Sequence, residues 1–251
     1  MRSPLTKKIA IINYKGGTAK TTTSAHLAHA LSLKGYKTLL IDTDSQGSLS
    51  AQFSIKSKRT LYHIIAKKNA VRDCIVNARH NLDIICSDES TFPAELKLNK
   101  MKERELVLSK AFSDLGDYDF VIVDCAPTMN LINQNVLLFA DELVLPISLE
   151  YMSLLGVKQL LKNLKIINKL FKKKLKIKKV IPTLLKDENI HAEDIQKSLQ
   201  RVFPGKISSS VRYCPDISKC SGLGKTVFEY APDSIGAEDY YKVMEEVLNH
   251  D

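Results

Sequence analysis

The chain has 251 residues, of which 44% are hydrophobic and 26% are charged, and it carries a formal net charge of +9. Such a composition is typical of a globular protein with one large α/β domain or two small ones. No apolar run reaches the roughly 18 residues that a membrane span requires, and the start "MRSPLTKK" lacks a signal-peptide core. We therefore expect a cytoplasmic protein whose basic excess favours polyanionic partners, either nucleic acid or an anionic membrane surface.

The cysteines indicate neither a metal site nor a disulfide framework. There are five of them, an odd number, and no two form a C-x-x-C pair. A zinc site would require closer, paired spacing. We interpret them as reduced thiols that mostly pack in the interior: Cys74, Cys86, Cys125, Cys214 and Cys220.

Apolar runs typical of strands alternate along the chain with helical stretches. The strand predictions cover residues 8–14, 37–44, 82–88, 119–127, 142–148 and 178–185, and the first helix covers 20–35. The runs are almost continuously apolar, as expected for parallel strands that are covered on both faces. This alternation predicts a doubly wound α/β fold with a mostly parallel sheet, helices on both faces and the strand ends along one edge. No linker or repeat interrupts the pattern, so we expect a single domain over residues 1–251.

The first predicted strand leads into "NYKGGTAKTTTS", residues 13–24, which has the features of a phosphate-binding loop. Small residues let successive backbone N–H groups converge on phosphate oxygens, and Gly16 and Gly17 supply the turn. Lys20 is placed to bind the β- and γ-phosphates of a nucleotide, and Thr21 to bind a magnesium ion. A Gly-Gly turn with incidental lysines is the alternative for this segment taken alone.

The segment departs from the common pattern G-x-x-x-x-G-K-[ST] at two places. Tyr14 and Ala19 stand where that pattern has glycine, and a second lysine, Lys15, precedes the glycine pair. If position 19 adopts a left-handed backbone, alanine costs roughly 1–2 kcal/mol there. We expect nucleotide binding to survive, because a small side chain can be sufficient at the start of a helix.

Two later segments place carboxylates at the ends of predicted strands. "LLIDTDSQGSLS" has Asp42 and Asp44 at the end of the second strand, and "FVIVDCAPT" has Asp124 at the end of another. A strand-end carboxylate that holds Mg²⁺ directly or through water is the Walker B arrangement. Aspartates at strand ends are common as turn or capping residues, but all three segments in this order are much less common. Together they favour a nucleotide site.

The segments "KGGTAKTTT", "IDTDSQGS" and "VIVDCAPT" resemble the deviant Walker A, A′ and B motifs of the ParA/Soj partition ATPases, in the wider ParA/MinD group of P-loop ATPases. The resemblance extends through residues 145–161 and 224–241 and covers nearly the whole chain. It implies the cofactors ATP and Mg²⁺, slow ATP hydrolysis, and a homodimer in the ATP-bound state. It also implies non-specific binding to double-stranded DNA, a ParB-like centromere-binding partner, a nucleoid-associated location and no membrane partner. Because the chain begins almost at the loop, we expect no N-terminal DNA-binding extension of the kind found in the larger plasmid forms.

The resemblance also implies roles for single residues. Lys15 is the lysine that reaches the nucleotide of the partner subunit, and Lys20 binds the phosphates of its own ATP. Asp44 matches the aspartate that positions the attacking water, so Lys15, Lys20 and Asp44 are the expected catalytic residues. The expected metal site consists of Thr21, Asp42 and Asp124. The expected nucleotide contacts are Lys15, Gly16, Gly17, Thr18, Ala19, Lys20, Thr21 and Thr22.

Four residues depart from the family pattern. Ala19 stands where the family usually has glycine, and Ser45 where it usually has proline. Asp233 and Ile235 stand where the Soj type has arginines that help to bind DNA. That part of a DNA surface cannot be carried over to this chain.

A basic helix is predicted within "VKQLLKNLKIINKLFKKKLKIKK", residues 157–179. Its lysines recur at spacings of four and three along one face, opposite an apolar stripe that runs from Val157 to Phe171. Acidic residues are nearly absent from this stretch, which favours contact with DNA phosphates over an ordinary solvated face. The expected DNA contacts are Lys158, Lys162, Lys165, Lys169, Lys172, Lys173 and, on a separate segment, Arg212.

Three alternative functions share some of these features. A ParA-like positioning ATPase for another cargo has the same motifs. A MinD-like division-site ATPase requires a basic amphipathic C-terminal helix, whereas this chain ends "VMEEVLNHD". A nucleotide-gated DNA-binding protein with negligible turnover is compatible with Ala19 and Ser45, although Asp44 argues for hydrolysis.

Overall fold

A computed structural model describes residues 6–186 and 192–249, and this part of the chain forms a seven-stranded sheet. The spatial order is β3-β4-β2-β5-β1-β6-β7, and every neighbouring pair is parallel except β3 with β4. The strands are β1 Lys7–Ile11, β2 Thr38–Asp42, β3 Ile75–Arg79, β4 Leu82–Ile85, β5 Phe120–Asp124, β6 Glu142–Ser148 and β7 Lys176–Thr183. The doubly wound α/β prediction is confirmed.

Helices cover both faces of this sheet. Short 3₁₀ segments lie at Val71–Cys74 and Arg104–Leu106. The α-helices in the described ranges are α1 Lys20–Leu33, α2 Ser48–Gln52, α3 Leu61–Lys67, α4 Thr91–Leu98, α5 Val107–Ala111, α6 Leu131–Phe139, α7 Tyr151–Leu170, α8 Ala192–Val202, α9 Pro215–Gly222, α10 Val227–Tyr230 and α11 Ile235–Leu248. Within the described residues, none of these helices is both long and apolar enough to cross a membrane.

Two separate apolar clusters explain why the strands are apolar at successive positions. Ile9 and Ile11 pack into a cluster with α1, α2 and α9–α11, while Ala10 packs into a second cluster with α3–α8. Successive strand side chains point to opposite faces, so burial of both faces requires an apolar residue at nearly every position. The sheet is therefore a central layer between two helical layers.

The strand that the sequence analysis missed is β3. It is an edge strand, antiparallel to β4, and none of its residues is fully buried. An edge strand exposed in this way does not need a continuous apolar run, so it lacked the signal that marked the other strands.

The basic helix α7, Tyr151–Leu170, begins before the predicted segment and ends earlier than its apolar stripe predicts. The apolar stripe is confirmed at Val157, Leu160, Leu164 and Ile167, which are buried under the sheet. The prediction was wrong at Phe171, whose side chain is 42% exposed because the helix ends at Leu170.

Candidate nucleotide-binding site and basic helix

The loop between β1 and α1 lies at the carboxyl edge of the sheet, beside the ends of β2 and β5. The strand register aligns Ile11 with Asp124 on one side, and Asp42 with Asp124 on the other. Parallel strands end at a common edge, so the fold brings the loop and both strand-end carboxylates together.

The loop contains two residues with a left-handed backbone. Gly17 has φ 73°, and Ala19, directly before α1, has φ 60° and ψ 32°. The carbonyl of Ala19 already accepts the N–H of Thr23 at 2.8 Å, so this residue begins the helix. A left-handed backbone costs alanine about 1–2 kcal/mol, whereas glycine adopts it freely. Ala19 therefore introduces strain at the point where the loop becomes the helix.

The N-terminus of α1 is open to an anion. No side chain caps it, and its first turn contains no acidic residue. The first N–H groups of a helix have no intrahelical partner and carry partial positive charge, so an uncapped start suits a phosphate. Thr18, which is fully buried, anchors the loop beneath this point because its carbonyl accepts the hydroxyl of Thr183 at 3.2 Å.

Lys20 lies under the loop with its side chain largely buried. Its ammonium donates to the carbonyl oxygen of Lys15 at 3.0 Å, across the turn of the loop. Burial lowers the pKa of Lys20, and the nearby Asp124 carboxylate opposes that shift. The lysine is therefore placed to compensate negative charge inside the loop.

Lys15 is bound within its own chain. Its ammonium pairs with the carboxylate of Glu150 and donates to Ser153 Oγ at 3.3 Å. Its backbone N–H donates to Asn13 Oδ1 at 3.0 Å, and the amide of Asn13 donates to the carbonyl of Pro146 at 2.8 Å. This half of the loop is thus attached to the connection between β6 and α7.

Asp124 has one oxygen bound and one without a partner. Its Oδ1 accepts the hydroxyl of Ser24 at 2.8 Å, while its buried Oδ2 has no hydrogen-bond partner among the described residues. Burial raises the pKa of Asp124, and the nearby hydroxyls of Thr21 and Ser24 act against the shift. The structure therefore brings Thr21, Lys20 and a free carboxylate oxygen together.

Asp42 is fully buried and positions the loop that follows β2. Its two oxygens accept the backbone N–H groups of Asp44 at 2.9 Å and Leu49 at 3.2 Å. Burial is the main cause that raises the pKa of Asp42, and Asp124 adds to the shift. Both oxygens of Asp42 are engaged, so its direct contact is with the backbone of the Asp44 loop.

Asp44 lies at the wall of a cavity of about 510 Å³. Thr128 and Asn130, from the segment after β5, line the cavity as well. Asp44 Oδ1 accepts the N–H of Gln46 at 3.0 Å. Gly47 closes the turn with φ 62°, and a Cβ there would lie 2.8 Å from the carbonyl oxygen of Ser87. The carboxylate is therefore held at an open space by a turn that needs glycine.

The sequence analysis missed several residues of this site. They are Asn13, Ser24, Glu150, Ser153 and Thr183, which hold the loop or one of its charged groups. Ser24 carried a usable signal, because it lies one helical turn after Lys20 on α1.

The comparisons with known proteins identify the family. A family model described as an AAA domain matches residues 6–177. The chain is 32% identical over 249 residues to the sporulation initiation inhibitor protein Soj of Bacillus subtilis (strain 168), with 96% of this chain and 98% of that protein covered. This chain belongs to the ParA/Soj family. It is also 29% identical to the chromosome partitioning protein ParA of Caulobacter vibrioides (strain NA1000 / CB15N), with 97% and 94% covered.

A solved structure of the wider ParA/MinD group has the same fold as this ParA/Soj-family chain. It is the septum site-determining protein MinD of Pyrococcus horikoshii OT3, complexed with Mg-ADP. The TM-score is 0.79 at 26% identity, with 98% of this chain and 97% of that chain covered.

Within this ParA/Soj-family chain, α7 carries an exposed row of lysines on the face opposite its buried stripe. The row consists of Lys158, Lys162, Lys165 and Lys169, and exposed Lys172 follows after the helix ends. None of these side chains takes part in a hydrogen bond or ion pair with any residue of the described ranges. The four helical lysines form the continuous face expected from their spacing.

Two other predicted DNA contacts are engaged inside the fold. Lys173 is partly buried, its ammonium donates to the carbonyl of Leu138 at 2.8 Å, and burial lowers its pKa. Arg212 binds the carboxylates of Asp239 at 2.6 Å and Glu238 at 2.9 Å. Both cations therefore have partners within the described fold, Lys173 at a carbonyl oxygen and Arg212 at two carboxylates, which the exposed lysines of α7 do not.

Proposed function

We propose that the chain, residues 1–251, acts as a single-domain Mg²⁺-dependent ATPase of DNA partition. In this proposal ATP joins two subunits, the paired form binds DNA without sequence preference, and hydrolysis separates the pair. The observation that carries the proposal is one cluster at the sheet edge: the uncapped start of α1, the buried ammonium of Lys20 and the unpartnered Oδ2 of Asp124. The relatives named Soj and ParA and the Mg-ADP complex of MinD support it.

The residues present fit a magnesium ion. A buried carboxylate oxygen without a partner is costly, and a hard divalent cation prefers oxygen ligands of this kind. Asp124 Oδ2 and the hydroxyl of Thr21 would hold the ion, and Asp42 would support the site through the Asp44 backbone. A bound magnesium ion neutralises charge on the phosphates.

Phosphoryl transfer depends mainly on charge neutralisation and on an in-line water. Lys20 and the N-terminal N–H groups of α1 bind the phosphates, together with the backbone of Gly16 to Thr22. Asp44 lies at the open cavity, where its carboxylate can orient the attacking water. Lys15 reaches the nucleotide of the partner subunit, and the paired interface excludes bulk water from the reaction.

The lysine row of α7 is the DNA surface in this proposal. Its ammonium groups are exposed and lack acidic partners in the described ranges, so contact with phosphates breaks no ion pair seen in the fold. Contacts of this kind do not depend on base sequence and weaken as salt rises. A ParB-like protein stimulates hydrolysis, and DNA binding keeps the ATP form at the nucleoid.

The decisive test is ATP turnover together with particle mass. We expect wild type to release phosphate and to pair with ATP, Lys20→Ala to lose ATP binding, and Asp44→Ala to pair with ATP while phosphate release stops. Asp117→Ala is the matched control, since Asp117 is an exposed residue just before β5, away from the loop. An ATP-bound wild-type protein that remains a monomer would contradict the proposal.

A further inference from the structure

A second cavity, of about 590 Å³, lies between α3, α5 and the segments that directly follow α3 and α4. It shares no lining residue with the cavity beside Asp44. Its volume falls within the roughly 300–1,000 Å³ that is usual for sites of small ligands. We call it the α3–α5 cavity, and none of the residues that line it has a role in the proposed nucleotide site.

The floor of the α3–α5 cavity is apolar and continuous with the core. Ile64 and Ile65 of α3 are buried in the cluster that covers this face of the sheet. Four further lining residues pack against that cluster and are only partly buried: Val71, Met101, Val107 and Ala111. An alkyl or aromatic group that entered the cavity would remove this apolar surface from water, which is favourable.

The rim of the α3–α5 cavity is positively charged. Three exposed lysines line it, Lys68, Lys102 and Lys110, and the ammonium of Lys110 pairs with Glu103 at 2.5 Å. The side chains of Lys68 and Lys102 form no hydrogen bond or ion pair with the residues that the structure describes. No acidic residue is among the described residues that line the cavity. Two cations without partners beside an apolar floor favour a ligand that has both an apolar body and a negative charge.

We propose that the α3–α5 cavity is a binding site for a small amphipathic anion. Its alkyl or aromatic body lies on the apolar floor, and its single carboxylate or phosphate group lies between the ammonium groups of Lys68 and Lys102. Eleven residues line the cavity, whereas a stable protein interface uses about 20–30 on each side, which favours a small molecule over a protein partner. The site is separate from the proposed ATPase chemistry and does not depend on it.

The experiment is isothermal titration calorimetry of the full chain with decanoate, which has an alkyl body and one carboxylate. Butyrate keeps the carboxylate on a much shorter body, and decyltrimethylammonium keeps the body but reverses the charge. We expect one decanoate to bind per chain, at least about tenfold more tightly than butyrate because more apolar surface is buried. Decyltrimethylammonium should bind more weakly than decanoate, because the rim lysines repel it.

Two variants locate the bound decanoate. Ala111→Leu fills part of the floor and should abolish binding, whereas Ala51→Leu makes the same change at an exposed residue of α2 and should bind as wild type does.

Lys68→Gln with Lys102→Gln should weaken decanoate binding about three- to tenfold at low salt, since exposed ion pairs are individually weak. Lys56→Gln with Lys58→Gln removes the same charge from exposed lysines outside the cavity and should not change binding. This double variant adds no volume, so it tests the site even if the larger side chain at position 111 unfolds α5.

Four results overturn the inference. Wild type that does not bind decanoate at about 1 mM has no such site, and equal binding of decyltrimethylammonium shows that the lysines do not select an anion. Binding that persists in folded Ala111→Leu places the decanoate elsewhere. Equal weakening in the two double lysine variants attributes the effect to net charge and not to the rim of the cavity.

Discussion

Ser24 donates its hydroxyl to Asp124 Oδ1 at 2.8 Å, a contact between residues 100 positions apart that leaves the second oxygen of the carboxylate without a partner in the described structure. The same hydroxyl lies 3.0 Å from the carbonyl oxygen of Lys20, so its single hydrogen is shared between the two acceptors and connects the loop helix to the strand-end acid. One hydrogen bond thus orients the carboxylate and directs the free oxygen.

Ser24→Ala should weaken magnesium binding without preventing folding. Loss of an orienting partner of a metal-binding carboxylate lowers metal affinity about tenfold or more. Titration of the ATP-bound protein with Mg²⁺, followed by turnover, measures this change. Ser32→Ala is the matched control, because Ser32 is also a buried serine of α1 but donates to the carbonyl of His29. Equal magnesium affinity in both variants would exclude the orienting role of Ser24.

Ala19→Gly should make the protein more stable. Ala19 has a left-handed backbone with φ 60°, and glycine removes a cost of about 1 kcal/mol at such a position. Ala30→Gly, in the interior of the same helix, should instead destabilise the protein by about 1 kcal/mol. Urea unfolding of the two variants gives the sign of each change. A loss of stability in Ala19→Gly would contradict the strain that we assign to this residue.

Much of the sheet edge could be predicted from the sequence, since buried parallel strands leave continuous apolar runs and Asp42 and Asp124 directly end two of them. The sequence could not predict whether Ala19 adopts a left-handed backbone, because the backbone angles at one position depend on the conformation of the whole loop. The end of α7 was missed because the apolar spacing continues to Phe171, whereas Lys172 adopts φ 51° and stops the helix.

Polar contacts between residues far apart in the chain could not be predicted from the sequence. Lys15 and Glu150 are 135 positions apart, and their pairing depends on where α7 begins relative to the loop. Arg212 carried the same basic signal as the α7 lysines, yet α11 places Asp239 and Glu238 against it. A charge pattern marks cations but cannot show which of them the fold neutralises.

His26 should make stability depend on pH. It is fully buried in α1, its Nδ1 donates to the carbonyl of Thr22, and its Nε2 accepts the N–H of Val227 at 3.0 Å. Burial lowers the pKa of His26 to about 4, from 6.5 in the unfolded chain. The folded state therefore binds fewer protons than the unfolded state between these values, so this contribution is present above pH 6.5 and is lost as the pH falls towards 4.

Unfolding free energies at about pH 7 and pH 5 measure this contribution. The unfolding free energy should fall less between about pH 7 and pH 5 in His26→Gln than in wild type, by about 2 kcal/mol. His80→Gln is the control, because His80 is exposed. The same pH dependence in wild type and His26→Gln would contradict the neutral, buried state of His26.

Lys165→Glu with Lys169→Glu should abolish DNA binding and leave ATP binding unchanged. Both lysines lie in the exposed row of α7 and have no partner in the described ranges. The double variant Lys165→Ala with Lys169→Ala removes the two charges without reversing them. If both lysines contact phosphates, it should lower the slope of log affinity against log salt by about two. Lys100→Glu with Lys102→Glu makes the same charge change on exposed residues after α4. If the two double glutamate variants lose the same DNA affinity, the loss is due to net charge and not to contacts of the α7 row.

The most direct test of the central claim is sedimentation velocity of the full chain with a fluorescent DNA duplex of arbitrary sequence. We predict that Asp44→Ala with ATP and Mg²⁺ sediments as a pair bound to the duplex, and that the same protein with ADP sediments as a monomer beside free duplex. Wild type with ATP should begin as the DNA-bound pair and release the duplex as ATP is consumed. DNA binding that is equal with ATP, with ADP and without nucleotide would contradict an ATP-controlled partition ATPase.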